Sequence, residues 1–224
     1  MKVAKKIRSL IKDASLKTGV YDWTLFNVYP YMYDPSQLAF LTECVKAVRG
    51  VPGCFVEAGC AYGATTVFLN KAIDEESLFR DYYAIDTFSG FVKEHMDYET
   101  EHRGKPNLNH YFTQNKKSWF DKSMALYGYD KRVRSVESDV AKFDFSAIAP
   151  IAFCLLDVDL YKPIQDVLPK IYKAMSPGGV IVVDDCTSSK LWDGAFEACQ
   201  EFVKQESIPV EIVAKKLGVI RVTA

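Results

Sequence analysis

At 224 residues the chain has the length of one large α/β domain, and its formal net charge of −1 argues against nucleic acid as the main partner. Six cysteines (Cys44, Cys54, Cys60, Cys154, Cys186, Cys199) show no CxxC pairing, which speaks for reduced thiols in a cytoplasmic protein and against a disulfide frame or zinc site. No apolar run reaches membrane-spanning length, the basic N-terminus lacks the apolar stretch of a signal peptide, and no linker divides the chain, so residues 1–224 read as a single domain.

In chain order, residues 2–13 put Val3, Ile7, Leu10 and Ile11 on one helical face with lysines and arginine opposite: an amphipathic helix, read as an ordinary solvated helix or as a lid or membrane-surface helix. Residues 21–33 are rich in Tyr, Trp and Phe and suit either core or a cover over a site; residues 1–33 together read as an N-terminal helical or lid segment. Asp34-Pro35 starts a helix, Asp as cap and Pro at its first position, and Gly50 is its expected stop. Cys54–Ala58 reads as the first sheet strand, Gly59 and Gly63 as a tight turn, 64–73 as a helix, and Tyr82–Asp86 as the second strand.

Residues 88–129 differ in kind. They are polar, charged and aromatic, hold all three histidines (His95, His102, His110), and read as an inserted, helical lid segment. A third strand follows at 132–136, leading into Glu137-Ser138-Asp139. Ile151–Leu156 is an apolar run ending in Asp157 and Asp159. Ile164, Val167, Leu168, Ile171 and Tyr172 then recur at helical spacing, Ser176-Pro-Gly-Gly179 makes a turn, and Val180 to Val183 is a second apolar run ending in Asp184 and Asp185. A helix at 191–205 and a hairpin of 210–214 and 219–222 around Gly218 close the chain. Alternating strands and helices predict a doubly wound, mostly parallel seven-stranded sheet with helices on both faces.

In a strand–helix–strand unit both strands point the same way. Asp157, Asp159, Asp184 and Asp185 therefore converge at the edge where open α/β sheets bind ligands. Alone, each aspartate is as well explained as a helix or loop cap. Together they repel one another, and a hard divalent cation such as Mg²⁺, Ca²⁺ or Mn²⁺ relieves that. At the first strand the spacing is G-x-x-x-G, not G-x-G-x-x-G, and Glu57 would repel a pyrophosphate. The same carboxylate favours S-adenosylmethionine, which carries a sulfonium and an ammonium but no phosphate. Asp86 then suits the ribose hydroxyls and Asp139 the adenine amino group. The cofactor set on these strand tips is Glu57, Gly59, Tyr62, Gly63, Thr65, Asp86, Thr87, Ser138 and Asp139.

Four motifs carry a resemblance: Glu57-x-Gly59-xxx-Gly63-x-Thr65, Asp86-Thr-Phe-Ser-Gly90, Leu156-Asp-x-Asp-x-Tyr161 and Ser176-Pro-Gly-Gly-x(4)-Asp184-Asp185. In this order, over residues 34–186, they resemble the macrocin O-methyltransferase (TylF-like) family of class I S-adenosylmethionine-dependent methyltransferases. The resemblance implies methylation of a sugar hydroxyl with a divalent metal at the site. It implies Asp157, Asp184 and Asp185 as metal ligands, Asp159 as general base and Asp157 as its catalytic neighbour. The long 88–129 segment falls outside its motifs.

The expected activity is thus O-methylation of a sugar or glycosylated small molecule with S-adenosylmethionine and a divalent cation, Mg²⁺, the metal polarising the hydroxyl and Asp159 taking its proton. A metal-independent small-molecule methyltransferase, a nucleotide-dependent oxidoreductase and a non-catalytic scaffold are the competing readings. The three histidines read as solvated, or else as a base or substrate contact, Tyr161 as packing or pocket wall, and Trp192 as core or pocket lining. The lid helices and the N-terminal helix are candidate surfaces for a homodimer.

Overall fold

Ile151–Leu156 (β4) is apolar at all six positions and buried at all six, as a central parallel strand covered on both faces requires. The computed structural model describes residues 32–113 and 115–223; the readings of the amphipathic and most of the aromatic N-terminal segment lie outside them. The chain forms α1 (Pro35–Ala47), β1 (Cys54–Ala58), α2 (Ala64–Glu75), β2 (Tyr82–Asp86), α3 (Lys93–His102), α4 (Lys117–Tyr127) and β3 (Val133–Glu137). After two short 3₁₀ turns come β4, α5 (Tyr161–Ala174), β5 (Met175–Val183), α6 (Gly194–Glu206), β6 (Glu211–Val213) and β7 (Leu217–Arg221).

The seven strands lie in the order β3-β2-β1-β4-β5-β7-β6. The first five are parallel; β7 runs antiparallel to β5 and to β6. Val56, Ala58, Cys154, Leu156, Ile181 and Val183 face Ile164, Val167, Leu168 and Ile171 of α5 and Ala198, Cys199 and Phe202 of α6 in one buried cluster. Phe55 and Phe153 point to the other face, with ring centroids 5.5 Å apart, and Glu57 on that face reaches Thr66 of α2. Helices therefore cover both faces, as the alternating pattern predicts. All six cysteines are buried free thiols.

Local rules explain most boundaries. Asp34 and Gln37 form a capping box at α1 with Pro35 at its first position. The helix ends at Ala47, three residues before Gly50. The larger departure is at 176–179, read as a turn. Here β5 begins at Met175, and the register moves from Ile151↔Met175 to Phe153↔Val180. The Ser-Pro-Gly-Gly stretch is a bulge inside the strand, tolerated because Gly178 sits at φ +83° and its N–H still donates to Val222 O at 2.8 Å.

Candidate active site

The ladder continues one residue past each strand tip and fixes the residues of the edge. Gly59 N–H donates to Ile85 O (2.8 Å), Asp157 N–H to Ala58 O (2.8 Å), Asp184 N–H to Leu156 O (2.9 Å) and Ser138 N–H to Asp86 O (2.9 Å). The five tips so joined, and the acids on them, stand in step along one edge.

At the first tip the turn needs glycine for two reasons. Gly59 is left-handed (φ +85°), and a Cβ there would fall 1.7 Å from Asp157 O of the neighbouring strand. Gly63, also left-handed, starts α2 against Phe120 and Met124 of α4. Asp86 braces this turn: one carboxylate oxygen accepts from Cys60 N (2.9 Å) and Ala61 N (2.8 Å), the other from Phe88 N (2.7 Å). A carboxylate has about four acceptor positions, so capacity remains for a ligand hydroxyl. Thr87 Oγ1 donates to Gly90 O, tightening the next turn.

Glu57 lies beneath the turn, buried, accepting from Thr66 Oγ1 (2.5 Å) and Tyr82 OH (2.8 Å). Burial pushes its carboxyl up to about 7, against the pull of those two donors. The hydroxyl partner is Thr66, one residue beyond the Thr65 singled out by the motif. Tyr62 is about half exposed at the crest of the turn. Ser138 Oγ donates to Asp139 O, and the Asp139 carboxylate accepts from Ala141 N (2.9 Å) and lies 3.9 Å from His95 Nε2. That histidine is held below its usual pKa, first by burial.

The second half of the edge is acidic. Asp159 and Asp185 both adopt left-handed backbone (φ 58° and 51°), a strained conformation that Asp tolerates better than most residues. Burial pushes Asp159 up to about 8, with Asp185 and Asp184 adding to the rise. Burial, then Asp184 and Asp159, raise Asp157 well above the carboxylate range, although Tyr33 OH donates to its Oδ2 at 2.8 Å. Burial takes Asp184 to about 6 against the opposing pull of Lys216.

Lys216, Tyr33 and Glu99 are the residues that sequence reasoning missed. The Lys216 ammonium lies 2.8 Å from Asp184 Oδ2 and 2.8 Å from Asp185 Oδ1, with the Tyr33 ring centroid 5.3 Å away. Burial opposes its charge, but the two aspartates outweigh burial and hold its pKa above that of an ordinary lysine. The topology delivers it. Continuing the antiparallel register past Val183↔Gly218 sets Lys216 opposite Asp185, and Cys186 N–H donates to Lys216 O at 2.7 Å. Had the hairpin been followed as an antiparallel edge of the same sheet, the residues preceding its last strand would have been seen to arrive at the acid edge.

The inserted segment is fastened down beside this edge. Glu99, buried, accepts from Tyr161 N at 2.6 Å and so caps α5. Arg103 pairs with Glu99, Asp193 and Glu197, and Lys105 with Asp193, tying α3 to the start of α6. Met96 and Leu108 pack on Leu160, the residue after Asp159, with Phe91, Leu191 and Trp192 around them. Tyr111 and Trp192 meet edge-on at 5.4 Å. Of the histidines, His95 faces Asp139 and His102 lies beside the Tyr98 ring; His110 is exposed. Tyr161 stacks on Tyr98 and donates to Glu201.

In donor chemistry the acids suit a hard cation: the oxygens are carboxylates, and Asp184 Oδ1 is buried with no hydrogen-bond partner among the described residues. In geometry the site is partly taken. Among the described residues no three Asp, Glu, His or Cys side chains converge as a ligand set, and the Lys216 ammonium stands between two of the acids.

The whole-chain pattern agrees with known proteins. Residues 3–218 match the macrocin-O-methyltransferase (TylF) family. The chain belongs to that family. It is an S-adenosylmethionine-dependent O-methyltransferase. Among its relatives, the mycinamicin III 3''-O-methyltransferase of Micromonospora griseorubida is 29% identical over 81% of this chain and 73% of its own length. The 8-demethyl-8-(2,3-dimethoxy-alpha-L-rhamnosyl)-tetracenomycin-C 4'-O-methyltransferase of Streptomyces olivaceus is 27% identical over 89% and 80%. The O-methyltransferase NovP shares the fold, with a TM-score of 0.72 and 21% identity over 87% of this chain and 82% of its own. The class I, Rossmann-like architecture expected of the TylF family is thus present, and the oxidoreductase and scaffold readings fall away. Among the described residues no helix is long and apolar enough to cross a membrane.

Proposed function

We propose that this enzyme methylates a hydroxyl of a sugar or glycosylated small molecule at the carboxyl edge of β4 and β5. The observation that carries the reading is the adjacency of the two halves of that edge: Asp157 N–H donates to Ala58 O at 2.8 Å, and a Cβ on Gly59 would fall 1.7 Å from Asp157 O, so the donor turn and the acid cluster lie side by side. The sugar is proposed because one relative is named for a rhamnosyl-bearing tetracenomycin. It is supported by the aromatic group of Phe91, Tyr111 and Trp192, whose faces suit the apolar side of a sugar ring.

The β1 turn with Asp86, Thr87, Ser138 and Asp139 is the proposed seat of the cofactor, whose sulfonium supplies the methyl. Glu57 contributes from below, as a buried group that favours a cation above it. Asp157, Asp184 and Asp185 are the proposed holders of a divalent cation, with Mg²⁺ as the candidate; when bound it would lower the pKa of the acceptor hydroxyl. Asp159 accepts the proton of that hydroxyl. Its left-handed backbone is held by Ala195 N–H, which donates to Asp159 O at 3.1 Å, and by Gly194, where a Cβ would meet Tyr161 N at 2.4 Å. A fixed Asp159 would hold the acceptor hydroxyl in one orientation toward the methyl, the entropic share of the catalysis. The fastened insertion walls the edge and keeps water from competing for the methyl group. The reduced thiols support a cytoplasmic setting.

Incubation with labelled S-adenosylmethionine and a panel of rhamnosyl glycosides, their aglycones and simple catechols tests the acceptor. The label is expected on a sugar oxygen, located by NMR of the product. Transfer only to aglycone or catechol oxygens would contradict the sugar assignment.

A further inference from the structure

Away from the acid edge, the inserted segment carries a buried polar atom with no partner. The Asn115 side chain is 3% exposed, and its Oδ1 accepts no hydrogen bond among the described residues. Leaving a buried acceptor unmade is costly, and folded chains keep few such atoms. The stretch that holds it is fixed on both sides. Before it, residues 111–113 cross the turn that follows β2: a Cβ on Gly90 would lie 3.1 Å from Tyr111 O and 3.4 Å from Thr113 N. Asn115 N–H donates to Phe112 O at 3.0 Å, which ties it to that crossing. After it, Phe120 packs on Phe88 with ring centroids 5.3 Å apart, and a Cβ on Gly63 would lie 2.9 Å from the Phe120 ring. The segment around Asn115 is thus clamped onto the turns after β1 and β2, the two that Asp86 braces through Cys60, Ala61 and Phe88.

We infer that Asn115 is a further cofactor-binding residue, whose Oδ1 accepts a hydrogen bond from the ammonium of the amino-acid tail of S-adenosylmethionine. The inference rests on the cofactor seat proposed above and involves no metal. An unpaired carbonyl oxygen calls for an N–H or O–H donor. The cofactor brings ribose hydroxyls, an adenine amino group and an ammonium. In the proposed seat Asp86 takes the hydroxyls, and Asp139 at the β3 tip takes the adenine. The ammonium remains for the residue clamped beside the Gly59–Gly63 turn, and its charge makes it the strongest donor of the set. Binding then supplies the partner that the folded chain lacks, which accounts for a polar side chain where an apolar one would pack at lower cost. The insertion serves the methyl donor as well as walling the edge.

The test is calorimetry of the whole enzyme and its Asn115→Leu variant with two probes: S-adenosylhomocysteine, and methylthioadenosine, which keeps the nucleoside and sulfur but lacks the amino-acid tail. Leucine is close to asparagine in size and removes the unpaired oxygen, so the variant is expected to unfold at the parental temperature or above it. It is expected to bind S-adenosylhomocysteine about 10–100-fold more weakly, the range for a hydrogen bond to a charged group, and to bind methylthioadenosine as the parent does. Parental affinity for S-adenosylhomocysteine would overturn the inference. So would an equal loss for both probes, the mark of a merely structural role. Should the leucine variant fail to fold, Asn115→Ala decides by the same ratio of the two affinities. Failure of the parent to bind either probe would reject the cofactor seat and the inference with it, whereas parental binding with an unmoved ratio in the variant rejects only Asn115.

Discussion

Asp159→Asn is expected to lower kcat by about 10²–10⁴-fold, the range for removal of a positioned proton acceptor, while leaving the protein as stable as the parent or more so. Asn is the informative replacement because it tolerates the left-handed backbone at this position, φ 58°, nearly as well as Asp. The gain in stability has a physical origin. Burial and the carboxylates of Asp185 and Asp184 push Asp159 up to about 8, so its ionised form is disfavoured where it stands. A group kept at a cost in folding free energy and removed at a cost in turnover is the signature of function. Steady-state kinetics and thermal unfolding on the same preparations check both halves. A kcat within about three-fold of the parent would remove Asp159 from the mechanism; the ordinary range for removing such a group begins well above that.

Gly59→Ala is expected to be the most damaging single methyl in the chain. Two effects add. The residue is left-handed at φ +85°, which costs an alanine about 1 kcal/mol, and the new Cβ would sit 1.7 Å from Asp157 O, an overlap with main chain that no rotamer relieves. Parting β1 from β4 at their tips should bring the total to roughly 3–4 kcal/mol, or about 6–16 °C in Tm for a domain this size. Cofactor affinity should fall with it, because Asp86 holds the same turn through Cys60 N and Ala61 N. Thermal unfolding and calorimetry with S-adenosylhomocysteine measure the two. A variant with parental Tm and affinity would mean that this turn is not packed against Asp157 as described.

The strands and their acidic tips were legible in the sequence because each is a local event. An apolar run such as Ile151–Leu156 must be buried on both faces, and whatever follows it must lie at the sheet edge. Asp34-Pro35, Gly59 and Gly63 were legible for the same reason: each satisfies a local backbone demand. What escaped was set by distant pairing. Tyr33 reaches Asp157 across 124 positions, Glu99 caps Tyr161 across 62, and Lys216 meets Asp185 across 31. No local pattern encodes these meetings; they follow from strand order and hairpin register. Glu57 shows an intermediate case. Its position at the first strand was evident, but alternation on β1 turns it inward to Thr66 and Tyr82, so it acts from below the turn. The bulge at 176–179 escaped because Pro-Gly-Gly is the chemistry of turns and of strand irregularities alike.

The arrangement as a whole stands on one spatial relation, that the methyl donor and the carboxylates of β4 and β5 share a single edge. A crystal of the enzyme grown with S-adenosylhomocysteine and Mn²⁺ measures it directly. The adenosyl group is expected against the Gly59–Gly63 turn and Asp86, with the sulfur facing Asp159 and the anomalous Mn²⁺ peak among Asp157, Asp184 and Asp185. Density for the cofactor elsewhere on the sheet, or a manganese peak remote from those three carboxylates, would contradict the account.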